Sequence, residues 1–263
     1  MHSVYSAPYI GRVTHATSQY VIAGETVTMP VQIRRATQHM AMFSVDADAA
    51  QRMIDYSGLQ VCRYRPRRAV VILMLMNYVD GDLGPYLEYG TNVMVNPPGS
   101  TASGLRALGD AAAFIHHLPV DGAFTMEAGR TIWGYPKVMA DFTVRGANNA
   151  AGVRDGQRFG FDVSIDGRHA VSMEFRKGLA VPSAFTGKPQ VHPTYSHLDG
   201  VTRETAGQMT LSGVRYRPGG VSVRLGGHPI GRELAALGLP KRALISSSAE
   251  NVQMTFGDAK EIA

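Results

Sequence analysis

Regular structure in this chain is interrupted at short intervals. Its 29 Gly and 14 Pro are spread without a repeat between short apolar runs. That pattern points to many turns between short strands, not to a linker or a collagen-like repeat. The longest apolar run, Ala69 to Met76, is eight residues. A membrane-spanning helix needs about 20, so this run reads as a buried strand and no membrane partner is expected. Hydrophobic residues make up 44% and charged residues 18% of 263 positions. A disordered chain shows the opposite balance, and a chain this long can bury a substantial core.

Residues 1–19 lack periodicity and read as an N-terminal arm; residues 20–263 read as a single β-rich domain with a few helices. Val27–Arg34 alternates as a strand, with Pro30 favouring an edge. Asp46 or Asp48 caps a short helix through Ile54. Val70–Tyr78 and Tyr86–Asn96 are strands joined by Asp80-Gly81-Asp82-Leu83-Gly84-Pro85. Leu105–His117 is open between helix and strand, and 122–132 reads as a short helix. Further strands are expected at Phe142–Arg145, Phe159–Ile165, Ala170–Phe175, Gln208–Tyr216, Val221–Leu225 and Ala249–Phe256. Asp166-Gly167 and Pro218-Gly219-Gly220 read as hairpin turns between neighbouring strands.

The formal net charge is +5, carried by 21 Arg and only 5 Lys. The one basic cluster, Arg63, Arg65, Arg67 and Arg68, is followed at once by the apolar run. It reads as a solvated strand edge or subunit contact, and no nucleic-acid partner is expected. A single cysteine, Cys62, rules out an intramolecular disulfide or a Cys-rich zinc site and fits a reducing, cytoplasmic compartment. The stretch Met1-His2-Ser3-Val4-Tyr5 shows no secretory signal.

Phosphate-cradling loops, HExxH and GxSxG elbows are all absent. The nine His are scattered except His116-His117, and neighbours on a strand point apart, which makes a poor ligand pair. His192 and His197 flank what reads as a solvated loop. No metal and no cofactor are expected.

The informative segment runs from Gly129-Arg130 through Ile132-Trp133-Gly134-Tyr135-Pro136-Lys137 to Val138-Met139. It holds the sole Trp and one of the few Lys. The ordinary role of a lone lysine is a surface charge, and strand lysines often snorkel to water. Here the amine sits among Ile132, Trp133, Tyr135, Val138 and Met139, and loss of hydration disfavours an ammonium. A neutral amine is what a lysine needs to attack a carbonyl and form an imine.

The string Gly129-Arg130, four residues, then Tyr135-Pro136-Lys137 resembles the active-site signature of the acetoacetate decarboxylase family, where the lysine after Tyr-Pro forms a Schiff base. Tyr86-Leu87-Glu88 resembles the family's glutamate segment. Leu239-Pro240-Lys241 with Ile245-Ser246-Ser247-Ser248 resembles its closing segment. The likeness runs from about Val31 to the end. It implies an α+β, mainly antiparallel fold: a cone-like closed β-barrel with flanking helices, the lysine inside a closed cavity, and a homo-oligomer.

The resemblance also implies roles. Lys137 would form the imine with a small-molecule keto acid and Glu88 would move protons. Arg35, or its neighbour Arg34, would hold the substrate carboxylate, and Arg130 would tie the short helix to the barrel. Two departures stand out. The second lysine of the decarboxylases is replaced by Val138, so a neighbouring cation is lost there. Their second acidic residue falls within Val71–Leu75, which is wholly apolar. The implied reaction is decarboxylation of a β-keto acid such as acetoacetate. The alternatives are aldol addition and dehydration on a pyruvate-like α-keto acid, or a silent small-molecule binder.

Overall fold

The computed structural model describes residues 18–146 and 158–262. Most of the expected arm therefore lies outside the described residues. Gln19 already belongs to a hairpin, β1 (Gln19–Ile22) and β2 (Glu25–Thr28). The strand expected at Val27–Arg34 is broken at Met29-Pro30, and a new one, β3 (Val31–Asp46), begins after it. Helix α1 (Ala47–Ile54) follows, capped by the Asp46 side chain, which accepts from the Asp48 and Ala49 amides. Next come β4 (Arg68–Gly81) and β5 (Tyr86–Val95). The ambiguous segment splits at Ala111 into a single turn, α2 (Ala107–Asp110), and β6 (Ala112–Val120). Helix α3 (Ala123–Trp133) then leads to β7 (Lys137–Met139).

The later elements are β8 (Asp141–Arg145), β9 (Arg158–Ile165), β10 (Arg168–Arg176), β11 (Leu179–Ala180), β12 (Gln190–Leu198), β13 (Val201–Ser212), β14 (Arg215–Arg217), β15 (Val221–Leu225), α4 (Pro229–Ala236) and β16 (Ile245–Glu261). Three expectations are corrected here. Gln208–Tyr216 is not one strand, since β13 ends at Ser212 and β14 begins at Arg215. The segment around His192 and His197 is strand β12, paired along its length with β13. Pro218-Gly219-Gly220 is not a hairpin turn, because β14 pairs with β16 while β15 pairs with β10. Helix α4 was not expected: its Pro at the first position and His228 cap are weaker signals than an Asp or Ser cap.

Seven strands close into a barrel in the order β3–β4–β5–β6–β12–β13–β16, with β16 returning to β3. Neighbours are antiparallel except β6, which runs parallel to both β12 and β7. A separate four-stranded sheet, β15–β10–β9–β8, lies outside. The apolar run in β4 is explained by this layering. Val71, Leu73 and Leu75 point outward into a core shared with Phe159, Phe161, Met173 and helix α4. Ile72, Met74 and Met76 point inward. A strand buried on both faces loses its polar alternation. Among the described residues no helix is long and apolar enough to cross a membrane. Arg63 pairs with Asp48 at 2.6 Å, and Arg65, Arg67 and Arg68 are exposed.

Candidate active site

Helix α3 ends in a way that delivers the next residues into the barrel. Gly134 adopts a left-handed conformation, φ 62°, and its amide returns to the Arg130 carbonyl while that of Tyr135 returns to Gly129. This C-terminal cap favours glycine because a side chain is strained at positive φ. Pro136 then keeps the backbone extended, and the Lys137 amide closes onto the Tyr135 carbonyl at 2.7 Å. Arg130 donates to the Lys137 carbonyl at 3.2 Å, tying the helix to the strand it precedes. Trp133 is fixed by its indole N–H to the Gly257 carbonyl, 2.8 Å away on β16.

The Lys137 side chain runs along α3 and is 2% exposed. Its stem lies so close to Gly129 that a Cβ there would sit 2.6 Å from Lys137 Cδ and 2.7 Å from Cε. Nζ lies 2.9 Å from Glu88 Oε2 and donates to Thr125 Oγ1 at 2.9 Å. It also sits 4.8 Å from the centre of the Tyr86 ring. The amine thus meets a carboxylate, a hydroxyl and an aromatic face, all inside the protein.

Glu88 stands on β5, 5% exposed. Its second oxygen, Oε1, accepts from the Tyr78 hydroxyl at 2.9 Å. Tyr78 and Tyr86 stack with centroids 4.1 Å apart. Burial, and then the charge of Glu88, push both phenols well above their ordinary pKa. They therefore remain protonated donors at any ordinary pH.

These groups open onto a chamber of about 430 Å³ that runs through the barrel. Glu88 and Lys137 are its only charged lining residues among the described ones. Seven methionines line it, more than half of the chain's 13. A larger groove of about 610 Å³, beside Tyr56, Pro97 and His197, includes neither Lys137 nor Glu88. The chemistry follows the smaller cavity.

Of the three residues singled out from the sequence, Lys137 and Glu88 come together and Arg35 does not join them. Both Arg34 and Arg35 are exposed, and neither lines the chamber. The cause is a bulge. Ala36 pairs with Val252 and Ile33 with Met254, so β3 carries one residue more than β16 between these points. Ile33 and Ala36 both point inward, and the two arginines between them both point out. Arg34 instead binds Asp80 at 2.9 Å and Asp82 at 2.6 Å.

A second bulge overturns the reading of His116-His117. Thr91 pairs with His117 while the next residue, Asn92, pairs with Ile115, so His116 is extra. Both rings end outside the chamber, 4.0 Å apart, with their Nε2 atoms 3.0 and 2.6 Å from one oxygen of Glu233 on α4. The hydrogen bonds from His116 and His117 hold the Glu233 carboxyl well below the usual carboxylate range. The Tyr56 hydroxyl contacts His116 Nδ1 at 2.8 Å. Two imidazoles and a carboxylate, with ligand atoms within 4.8 Å of one another, are a donor set of the kind that takes a borderline divalent ion.

Thr125, Tyr78, Gln38 and Asn92 escaped the sequence reading. A signal existed for Thr125: on the expected helix it lies four residues before Gly129, on the face that meets Lys137.

The acetoacetate decarboxylase (ADC) family model matches residues 18–260. Among solved structures, the acetoacetate decarboxylase from Legionella pneumophila aligns with TM-score 0.64 at 17% identity, over 89% of this chain and 87% of that one. The enduracididine biosynthesis enzyme MppR, complexed with the condensation product of pyruvate and imidazole 4-carboxaldehyde, aligns with TM-score 0.63 at 18% identity, over 95% and 98%. An acetoacetate decarboxylase-like enzyme from Sphingomonas wittichii RW1 aligns with TM-score 0.56 at 14% identity, over 90% and 94%. A search of curated proteins returned no match. At such identities the structural likeness establishes the fold alone.

Proposed function

The chain belongs to the acetoacetate decarboxylase family, and from that premise we propose that it is a Schiff-base carbon–carbon lyase that decarboxylates a β-keto acid. The observation that carries this reading is the enclosed amine of Lys137, 2.9 Å from the Glu88 carboxylate in a chamber with no other charged lining residue among those described.

Glu88 takes the ammonium proton, and the freed amine attacks the substrate's keto carbon. The attacking nitrogen gives up one proton to the former carbonyl oxygen and Glu88 returns the other, so that oxygen leaves as water and an iminium remains. The bond to the carboxylate carbon breaks, and its electron pair moves toward the iminium nitrogen. Carbon dioxide and an enamine result. A proton drawn from water through Glu88 returns to the α-carbon, and hydrolysis releases the ketone and the amine. Thr125 positions Nζ, and Tyr78 positions Glu88.

A carboxylate clamped by a cation resists leaving as carbon dioxide, and a chamber with no charged lining residue beyond Lys137 and Glu88 among those described leaves it poorly solvated. That favours decarboxylation over chemistry that keeps the carboxylate. The same proposal takes the described barrel as one domain, the enzyme as cytoplasmic, and the chain as self-associating.

The test is trapping. The protein is incubated with acetoacetate or pyruvate, reduced with borohydride and weighed intact. A stable adduct that is absent from Lys137→Ala supports the imine, and carbon dioxide release identifies decarboxylation. An adduct without carbon dioxide favours aldol chemistry, in line with the MppR relative complexed with the condensation product of pyruvate and imidazole 4-carboxaldehyde. No adduct across a panel of keto acids leaves a silent binder.

A further inference from the structure

The chamber is far larger than a four-carbon keto acid requires. At about 30 Å³ per water-sized unit, 430 Å³ corresponds to roughly fourteen non-hydrogen atoms. Its shape is elongated. Glu88 lines one level of β5, and Asn92 and Met94 line levels four and six residues further along. At about 3.3 Å per residue these lie some 13 and 20 Å from Glu88. Met40, Met42, Met74 and Met76 line the walls between. Methionine is the side chain that adapts to an apolar body of variable outline.

Two polar groups interrupt this lining. Gln38 is 9% and Asn92 4% exposed, and both line the chamber. Neither amide has a hydrogen-bond partner among the described residues. Their polar atoms are not sealed but open to the chamber, so each amide is free to pair with whatever fills it, water or a polar group of the substrate. Gln38 pairs in register with Met76, and Met76 with Glu88, which puts it at the level of the reacting group, two strands away. Asn92 marks the outer level: near it Met42, Met94 and Leu108 are half-buried and Gly109 is exposed, while the Lys137 end is buried.

Resting on the imine reading above, we infer that the substrate is an elongated β-keto acid of roughly fourteen non-hydrogen atoms. Its carboxylate lies at the Lys137 end near Gln38. Its tail is apolar except for one neutral oxygen, a hydroxyl or ketone, that meets Asn92.

The experiment compares kcat/KM for acetoacetate, 3-oxoundecanoate and 11-hydroxy-3-oxoundecanoate by carbon dioxide release. Each buried methylene contributes about fourfold, equivalent to about 0.8 kcal/mol. The expected preference for the long acids over acetoacetate is at least a hundredfold, with the hydroxylated one ahead of the plain one. Met94→Trp, which fills the outer end where the tail would lie, is expected to lower the long-to-short ratio at least tenfold. Met42→Phe serves if that variant fails to fold. Asn92→Leu is expected to reverse the order of the two long acids.

Turnover of acetoacetate with a long-to-short ratio near or below one overturns the inference and leaves the imine reading standing. If no acid forms an adduct, calorimetry of 2-undecanone with Lys137→Gln reads the chamber alone. Micromolar binding there, weakened by Met94→Trp, keeps the long apolar ligand while the imine fails. No binding removes both.

Discussion

Replacing Gly129 by Ala tests the placement of the amine without removing any polar group. The added methyl would stand 2.6 Å from Lys137 Cδ and 2.7 Å from Cε. Carbon atoms rest at about 3.5–4.0 Å, so the lysine stem must retreat by about 1 Å. It is boxed in by Glu88, Thr125 and the Tyr86 ring, so Nζ moves with it. A displacement of about 1 Å at a reacting group costs roughly 10²-fold in rate. Stability changes much less. Alanine in a helix interior gains about 1 kcal/mol over glycine, against about 1–3 kcal/mol for overpacking. The net is about 0–2 kcal/mol, a Tm change of a few degrees. The assay is the rate of borohydride-trapped adduct formation with a keto acid, read by intact mass beside thermal unfolding. A trapping rate within about threefold of the parent, in a protein of similar Tm, would refute the claim that the Gly129 surface sets the position of Nζ.

Lys137→Met removes the amine and strands Glu88, 5% exposed, as a buried carboxylate. Breaking such a pair costs about 3–5 kcal/mol, and adding Glu88→Leu should recover much of that in a denaturant titration. Tyr78→Phe removes the hydroxyl donated to Glu88 at 2.9 Å. A hydrogen bond to a charged group contributes about 1.5–3 kcal/mol, so trapping should slow roughly 10–100-fold while overall fold, read by circular dichroism, persists. His39 is buried, stacked 3.8 Å from Phe159, and burial lowers its pKa from 6.5 to about 3. The unfolded chain then binds the extra proton, so stability is fully present above pH 6.5 and is lost as pH falls toward 3. The slope is about 1.4 kcal/mol per pH unit, and it should flatten by that amount in His39→Gln.

The site was half legible in the sequence, and the reason lies in how each residue is delivered. Lys137 follows a helix, a glycine cap and a proline, all local devices that act within a few residues and leave a readable string. Glu88 lies on a strand bounded by clear turns, so its facing follows from simple alternation. The barrel itself was less visible, because β4 is covered on both sides and loses its polar alternation. Gln38, Asn92 and Tyr78 meet the amine's chamber only through strand registry, which is set by partners far along the chain.

The two failures share one cause. At 33–36 and again at 115–118 an inward residue is followed by two outward ones and then another inward one, where an unbroken strand would place the second in the chamber. In both places the strand carries an extra residue relative to one neighbour. The first bulge sends Arg34 and Arg35 away from the chamber, and the second brings His116 and His117 to a common side. A bulge has no residue signature of its own, because it is defined by a mismatch between two strands. Its consequences here are chemical. Without the first bulge the strict alternation of Val31 and Ile33 would carry Arg35 into the barrel, where its charge would hold a substrate carboxylate in place. With the bulge the chamber keeps one acid and one amine, the composition under which a carboxylate is easiest to release and a long apolar tail easiest to accept.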